Sequence, residues 1–353
     1  MNILFLTQII PYPPDAGPRL KTWNVLRHLA ARGHRVTLAS FVRPEEEQHI
    51  PHLKEVCAQV FTVPMRRSRL ADLAYGLWSY AAGRPFLIER DDLPAMRALV
   101  RRVLAEGSID LIHCDQVSMT QYALPYAGKG PRTLFDAHNA VWTIFQRMSQ
   151  QANPLLRLPL RLEARRMRRY EQDLLRSLDR TLAVTDIDRE LLLEGLPAGQ
   201  AEALRRKMTV IPIVVDALGQ PPVKRQPGSR NIITLGTLHY PPNADGIRWF
   251  FESVFPLIQA GQQDVTLTIV GKNPPPDFSA AADRSGGAIR VTGYVPDLTP
   301  YLEAAALMVV PVRAGGGMRV RILEAFVRGM PVVTTSVGLE GIDARPGEEV
   351  LVE

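Results

Sequence analysis

Strand and helix signals alternate twice along this chain, on either side of a proline-rich break, and that alternation restricts the fold more than any single motif does. In the first passage Ile3–Thr7 is a buried-strand run. Pro18–Ala31 follows with helical spacing through Leu20, Trp23, Leu26, Leu29 and Ala30, and stops at Gly33. Strand signals return at His34–Phe41, Gln59–Val63, Asp110–His113, Arg132–Asp136, Arg180–Val184 and Met208–Ile211. The break, QPPVKRQPGSR over 220–230, is too rich in Pro and Gly for either regular structure. A second series begins at Asn231–Gly236 and continues through a helix at Asn243–Ile258 and strands at Val265–Gly271, Ala288–Thr292 and Leu307–Pro311. It ends with a helix at Met318–Arg328 and a strand at Pro331–Thr335. Strands separated by helices predict parallel βαβ units with right-handed crossovers. The expected architecture is α/β: two doubly wound, Rossmann-like domains facing a cleft, at 1–220 and 231–353, with 221–230 as linker.

Charge separates the two halves. The net charge of +6 is carried by the first 220 residues, which hold 30 Lys/Arg against 23 Asp/Glu, while the remainder is close to neutral. Two cysteines, Cys57 and Cys114, stand in no CxxC or Cys/His spacing, which argues against a disulfide scaffold and a structural zinc site. The first apolar run stops at Pro11 and has no basic leader, so it reads as a strand rather than a signal peptide. No apolar stretch approaches the ~18 residues that span a bilayer. These features give the expectation of a cytoplasmic protein.

Chemistry concentrates at strand ends. In Pro311–Ala325, PVRAGGGMRVRILEA, a buried strand runs into Gly315, Gly316 and Gly317 and then a helix. Glycines admit close backbone approach, and the exposed amides with the helix dipole make an anion site. Arg313, Arg319 and Arg321 add charge suited to a pyrophosphate. Val320, Leu323, Phe326, Val327 and Met330 form the expected core stripe, with Glu324 at its flank. There it either pairs with Arg328 or Arg321 on its own helix or accepts from the two hydroxyls of a ribose. In the first half, Gly17 opens a helix after the first strand, where amides can approach a phosphate or a sugar. No GxGxxG follows that strand, which argues against a dinucleotide-binding dehydrogenase. His138 and Asn139, in DAHNA, follow a strand directly, and His113 and Asp115 end another. Of these, His138 ranks first as a catalytic group, with Asp115 and Asn139 beside it. His239 and Asn243 follow the first strand of the second half as donor-binding candidates for a sugar or phosphate, Asn243 being placed alternatively to cap the next helix.

Several stretches resemble the retaining glycosyltransferases of family four, which have the GT-B fold, and in particular a subgroup associated with exopolysaccharide assembly. They are the Gly-rich loop with ILEAFVRGMPVVTTSVGLEGI, PYPPDAGPRLKTWNVLRHLAARGHRVTL, DAHNAVW with RRYEQDLLRSLDRTLAVTDIDRELL, TLGTLHYPPNADGIRWFFESVFPLI with LTIVGKNPPP, and VTGYVPDLTPYLEAAALMVVP. The resemblance implies metal-independent transfer of a sugar from a nucleotide-diphosphate donor, a co-substrate rather than a cofactor, with the anomeric configuration retained. It also implies that Glu324 holds the ribose while Gly315–Gly317 and Arg321 face the diphosphate. Two departures stand out. The family's E-x7-E motif would place its first glutamate at position 316, where this chain has Gly316. Its Arg and Lys after the first strand of the second domain are here Thr237 and Pro242, leaving Arg319 and Arg321 as replacements.

The expected acceptor is a glycan or glycolipid. Rivals are a nucleotide-sugar 2-epimerase and a non-catalytic nucleotide-sugar or glycan-binding protein. The stretch Arg157–Arg169 carries six arginines interleaved with Leu158, Leu160, Leu162 and Met167. It reads as a basic amphipathic helix able to lie on an anionic membrane, with Arg66, Arg67 and Arg69 beside Leu70 adding charge and Pro159 setting its earliest start. Aromatics are only 7% and no nucleic-acid module is present, which disfavours nucleic acid as a partner. Val350–Glu353 reads as a strand just begun, giving the expectation that the family's closing helices are missing.

Overall fold

The structure, a computed structural model, describes residues 1–65, 67–216, 220–314 and 317–353. It divides into two compact units, Met1–Ile213 and Val214–Glu353. The stretch read as a linker is attached to the second unit. The Val223 amide donates to the Arg328 carbonyl, the Gln226 amide to the Glu303 carbonyl, and the Ser229 hydroxyl to the Ala304 carbonyl.

Among the described residues, the first unit holds a seven-stranded sheet in the order β3-β2-β1-β4-β5-β6-β7. Its strands are β1 (Asn2–Thr7), β2 (Arg35–Val42), β3 (Gln59–Pro64), β4 (Leu111–Asp115), β5 (Arg132–Ala137), β6 (Arg180–Ala183) and β7 (Met208–Val210). The second unit holds six strands in the order β10-β9-β8-β11-β12-β13. These are β8 (Asn231–Leu235), β9 (Thr266–Val270), β10 (Ile289–Gly293), β11 (Leu307–Val310), β12 (Val332–Thr334) and β13 (Leu351–Val352). All neighbours pair in parallel. In each unit the first strand lies inside the sheet, with later strands added on both sides, so both are doubly wound with a switch point, at β1/β4 and at β8/β11. Central strands of such sheets are covered on both faces, which is why Ile3–Thr7 is apolar and buried nearly throughout.

The helices that matter below are α1 (Gly17–Ala31), α2 (Arg69–Ala82), α3 (Val141–Gln151), α4 (Pro154–Ser177), α5 (Asp186–Leu193), α6 (Pro241–Trp249) and α7 (Val320–Val327). Three depart from expectation. Pro159 does not delimit α4, which starts five residues earlier. Asn153 caps it by accepting from the Leu156 amide at 3.0 Å, and Pro154 presets its first turn. The carbonyl that Pro159 leaves without a donor is that of Leu155, in a turn open to water. The single helix expected at Asn243–Ile258 is α6, a π turn at Phe250–Val254, and a further helix at Phe255–Gly261. The extra residue of the π turn lets Phe250, Phe251 and Phe255 all reach one core layer, where they join Phe278. In α7 the buried residues are Val320, Ile322 and Ala325, whereas Leu323, Phe326 and Val327 are only half-buried. The helix starts at Val320 rather than Met318 and turns its Ile322–Ala325 side to Met308, Met330 and Val332.

Helix α6 packs close against the end of β11: a Cβ built on Gly246 would fall on the Pro311 carbonyl. Gly246→Ala is therefore expected to destabilise the second unit by about 1–3 kcal/mol, the usual cost of overpacking. Gly199→Ala, also helical but facing open space, should be neutral or stabilising by up to ~1 kcal/mol. Thermal melts of the two variants read the contrast, and equal midpoints would contradict the close approach.

Candidate active site

The register of three adjacent strands builds the polar centre of the first unit. Thr7 of β1 pairs with Asp115 of β4, and Asp115 with Asp136 of β5, so these side chains form one row across the sheet. His113, two residues before Asp115, lies on the same face and stacks on Phe5 with ring centroids 4.2 Å apart. Helix α1 covers this face with Lys21 and Thr22, both buried.

Every carboxylate oxygen in the row has a protein donor. The Lys21 ammonium is paired with Asp136 Oδ1, and His113 Nε2 lies 3.2 Å from Asp136 Oδ2. Asp115 Oδ2 accepts from the hydroxyls of Thr7 at 2.8 Å and Thr22 at 2.9 Å, and His138 Nε2 lies 2.8 Å from Asp115 Oδ1. Burial alone would raise the Asp136 carboxyl. The His113 hydrogen bond and the charges of Lys21 and the histidines outweigh it, holding that carboxyl well below the ordinary carboxylate range. His113, Asp115 and Asp136 have the composition of a metal site, their ligand atoms lying within 4.8 Å of one another. Lys21 already supplies the positive charge that a cation would bring.

His138 is the group with capacity left. Its side chain is about nine-tenths buried, and its Nδ1 has no hydrogen-bond partner among the described residues. An ionised Asp115 accepts only, so Nε2 carries the proton toward it and Nδ1 presents a lone pair, able to accept from a hydroxyl or take up its proton. Asp115 thus sits behind His138 and orients its ring. Asn139 follows, half-buried, and the chain enters α3. Two carboxylates fix that entry. Glu171 of α4 accepts from the amides of Val141 and Trp142 at 2.8 and 3.0 Å, and Asp188 of α5 from the Ala140 amide at 3.3 Å. Burial pushes the Glu171 carboxyl up to about 8 against those two amides, with the nearby Asp188 adding to the rise. Gly17, half-buried, opens α1 as expected.

Lys21, Thr22 and Glu171 were not read from the sequence. Lys21 and Thr22 interrupt the apolar spacing of α1, and a lysine there reads as solvated. Only the in-register row opposite shows why it is buried. Glu171 is one of three acids in a basic helix, with Glu163 and Asp173, and spacing cannot single it out.

In the second unit the arginines are divided among different tasks. Arg313 pairs with Asp245 at 2.9 Å and lies over the Trp249 ring. Arg319 is buried, its Nη1 donating to the Gly317 carbonyl at 2.5 Å. Arg321, expected to face a diphosphate, instead holds α7 to the end of β8: it donates to the Leu235 carbonyl and, at 2.9 Å, to Asn243 Oδ1. Burial, with Arg319 nearby, lowers the Arg321 guanidinium to about 10. Asn243 is not the cap of α6, which is Tyr240. It sits inside the helix, buried, and its amide donates to the Thr237 carbonyl at 3.2 Å. His239 is exposed. Gly317 has φ +74°, a conformation that favours glycine. Gly315 and Gly316 lie outside the described residues.

Glu324 is half-buried on α7. Neither expected helical partner reaches it, because Arg328 donates to Thr299 Oγ1 at 2.8 Å and Arg321 bonds elsewhere. No hydrogen bond or ion pair to its carboxylate occurs among the described residues. Burial raises its carboxyl above the ordinary value, and the charge of Arg321 only partly offsets this.

Solved structures place this architecture. HepE of Anabaena, in complex with UDP and glucose, superimposes with TM-score 0.65 at 15% identity, covering 100% of this chain and 85% of that one. TarM of S. aureus, in a complex containing UDP, gives TM-score 0.67 at 10% identity over 100% and 89% of the two chains. The fold is that of the GT-B glycosyltransferases. The family model described as Glycosyltransferase Family 4 matches residues 22–217, and that described as Glycosyl transferases group 1 matches residues 229–353. The chain belongs to glycosyltransferase family 4. A relative described as an uncharacterized 44.6 kDa protein in the cps region of Klebsiella pneumoniae is 22% identical over 99% of this chain and 87% of its own length.

The buried pair Lys21–Asp136 yields a prediction. Lys21→Met strands a carboxylate in the core and is expected to cost about 3–5 kcal/mol, whereas Lys21→Met/Asp136→Asn should recover much of that loss. The folded Asp136 carboxyl ionises at lower pH than the unfolded one. Its contribution is therefore complete above the unfolded value of about 4 and lost as pH falls below it. Urea melts at several pH values should show an acid limb that is shallower in the double variant. Equal destabilisation of single and double variants would mean the pair is not coupled.

Proposed function

We propose that the protein transfers a sugar from a nucleotide-diphosphate donor to a glycan or lipid-linked acceptor, with retention at the anomeric carbon and without a metal. The observation that carries this reading is Glu324. A half-buried carboxylate with no hydrogen bond or ion pair among the described residues costs desolvation free energy that the Arg321 charge only partly offsets, which suits an acceptor whose donors arrive with a ligand. Two ribose hydroxyls are such donors. The diphosphate then meets the turn into α7 with Arg319, because Arg321 is engaged in holding α7 to β8.

The reacting side is assigned to His138. With Nε2 fixed on Asp115, its Nδ1 can accept from a hydroxyl of the transferred sugar or the acceptor. Neither buried aspartate is free to act as a nucleophile, since Lys21, His113, Thr7, Thr22 and His138 occupy their oxygens. This favours a front-face, oxocarbenium-like displacement over a covalent intermediate. A polysaccharide role finds support in the Klebsiella relative from a cps region.

The test starts with thermal shifts against UDP-, GDP- and ADP-sugars, UDP first because HepE and TarM were each solved with UDP. NMR of the product's anomeric proton then reads the stereochemistry. Glu324→Ala should weaken nucleotide binding by about 1–3 kcal/mol with little change in stability. His138→Ala and Asp115→Asn should each lower turnover at least tenfold at near-normal nucleotide affinity. Unchanged affinity in the Glu324 variant, or an inverted product, would refute the respective part of the proposal.

A further inference from the structure

Helix α2 is built the wrong way round for a surface helix. Leu70, Leu73, Leu77 and Trp78, with Ala74, Ala81 and Ala82, follow helical spacing along one face, and all of them are exposed. Leu70 is 82% and Trp78 62% exposed, whereas Ser79 is buried and Asp72 and Gly76 are half-buried. The apolar stripe that ordinarily covers a core points to solvent, and the small and polar residues point inward. The first turns of α4 repeat the pattern with Leu155, 86% exposed, Leu158 and Leu162. The two helices are neighbours: Arg166 of α4 lies over the Tyr80 ring, 4.2 Å from its centroid, and Glu163 Oε1 accepts from the Phe86 amide at 2.6 Å just beyond α2.

Cations accompany the stripes. Arg157, Arg161, Arg165 and Arg169 recur every fourth position on α4, forming a ridge of about 18 Å. All four are exposed, and none pairs with a carboxylate among the described residues. A second copy of the chain would suit the leucines but not the ridge, because a twofold interface would bring like charges together. Exposed leucines, an aromatic rim of Trp78 and Tyr80, and unpaired arginines together complement one surface, an anionic lipid bilayer.

We propose that α2 and the first turns of α4 dock the first unit on anionic phospholipid, the leucines and Trp78 entering the headgroup layer while the arginine ridge meets lipid phosphates. Arg67, which lies just before α2, is not part of the ridge, since it pairs with Asp91 at 3.0 Å. Arg66 lies outside the described residues.

The experiment uses the full chain and vesicles alone, so its outcome is independent of glycosyl transfer. Sedimentation should show binding to vesicles of phosphatidylglycerol and phosphatidylcholine, little binding to phosphatidylcholine alone, and a fall as salt rises through ~0.15 M. Bound protein should show blue-shifted tryptophan fluorescence, and the shift should vanish in Trp78→Phe. Leu70→Ser/Leu73→Ser/Leu77→Ser should lower partitioning at least tenfold without lowering the melting midpoint, because these side chains are exposed. Arg157→Gln/Arg161→Gln/Arg165→Gln/Arg169→Gln should abolish the preference for anionic lipid. Three results would overturn the proposal. They are no binding at any salt, vesicle binding unchanged in the leucine variant, and a concentration-dependent dimer that this variant converts to monomer.

Discussion

The Lys21 ammonium sits on Asp136 where no water competes, and much of the first unit is arranged around that contact. Two carboxylates side by side on a buried sheet face would repel each other and strain for protons. One buried lysine, two histidines and two threonine hydroxyls make the group electrostatically tolerable. The solution fixes more than charge. It pins α1 over the sheet, orients His113 against Phe5, and holds Asp115 as the partner that sets the tautomer of His138. The setting of His138 is in this sense an outgrowth of how the sheet copes with its own aspartates.

The second unit distributes its charges differently. Asp245, the Gly317 carbonyl, and the Leu235 carbonyl with Asn243 each receive one arginine. Among the described residues, no hydrogen bond or ion pair reaches the Glu324 carboxylate. Such a shielded carboxylate favours a ligand that brings hydroxyls at that point.

The strands were legible because parallel strands covered on both faces leave near-continuous apolar runs, and Ile3–Leu6 and Leu307–Pro311 are of that kind. His138 and Glu324 were legible as candidates because each follows a strand that the sequence marked, His138 directly and Glu324 on the next helix. What stayed hidden depended on contacts between distant segments. Lys21 is 115 positions from Asp136. Glu171 is 30 from the Val141 amide it receives. For Arg321 the spacing showed a charge but not the Leu235 carbonyl to which it donates. The outward stripe of α2 was invisible for another reason. Periodicity reveals an apolar face but not whether anything covers it.

The in-register row Thr7–Asp115–Asp136 has a bearing on how this sheet finds its pairing. Parallel strands paired across long loops have little local guidance, and apolar runs such as LFLT and LIHC tolerate slippage in themselves. A slip of one residue would turn Asp115 to the opposite face, away from both threonines, and set its charge among Met119, Tyr122 and their neighbours. Misaligned sheets are penalised by electrostatics even where hydrophobic burial is indifferent. The polar row therefore proofreads the alignment of β1, β4 and β5.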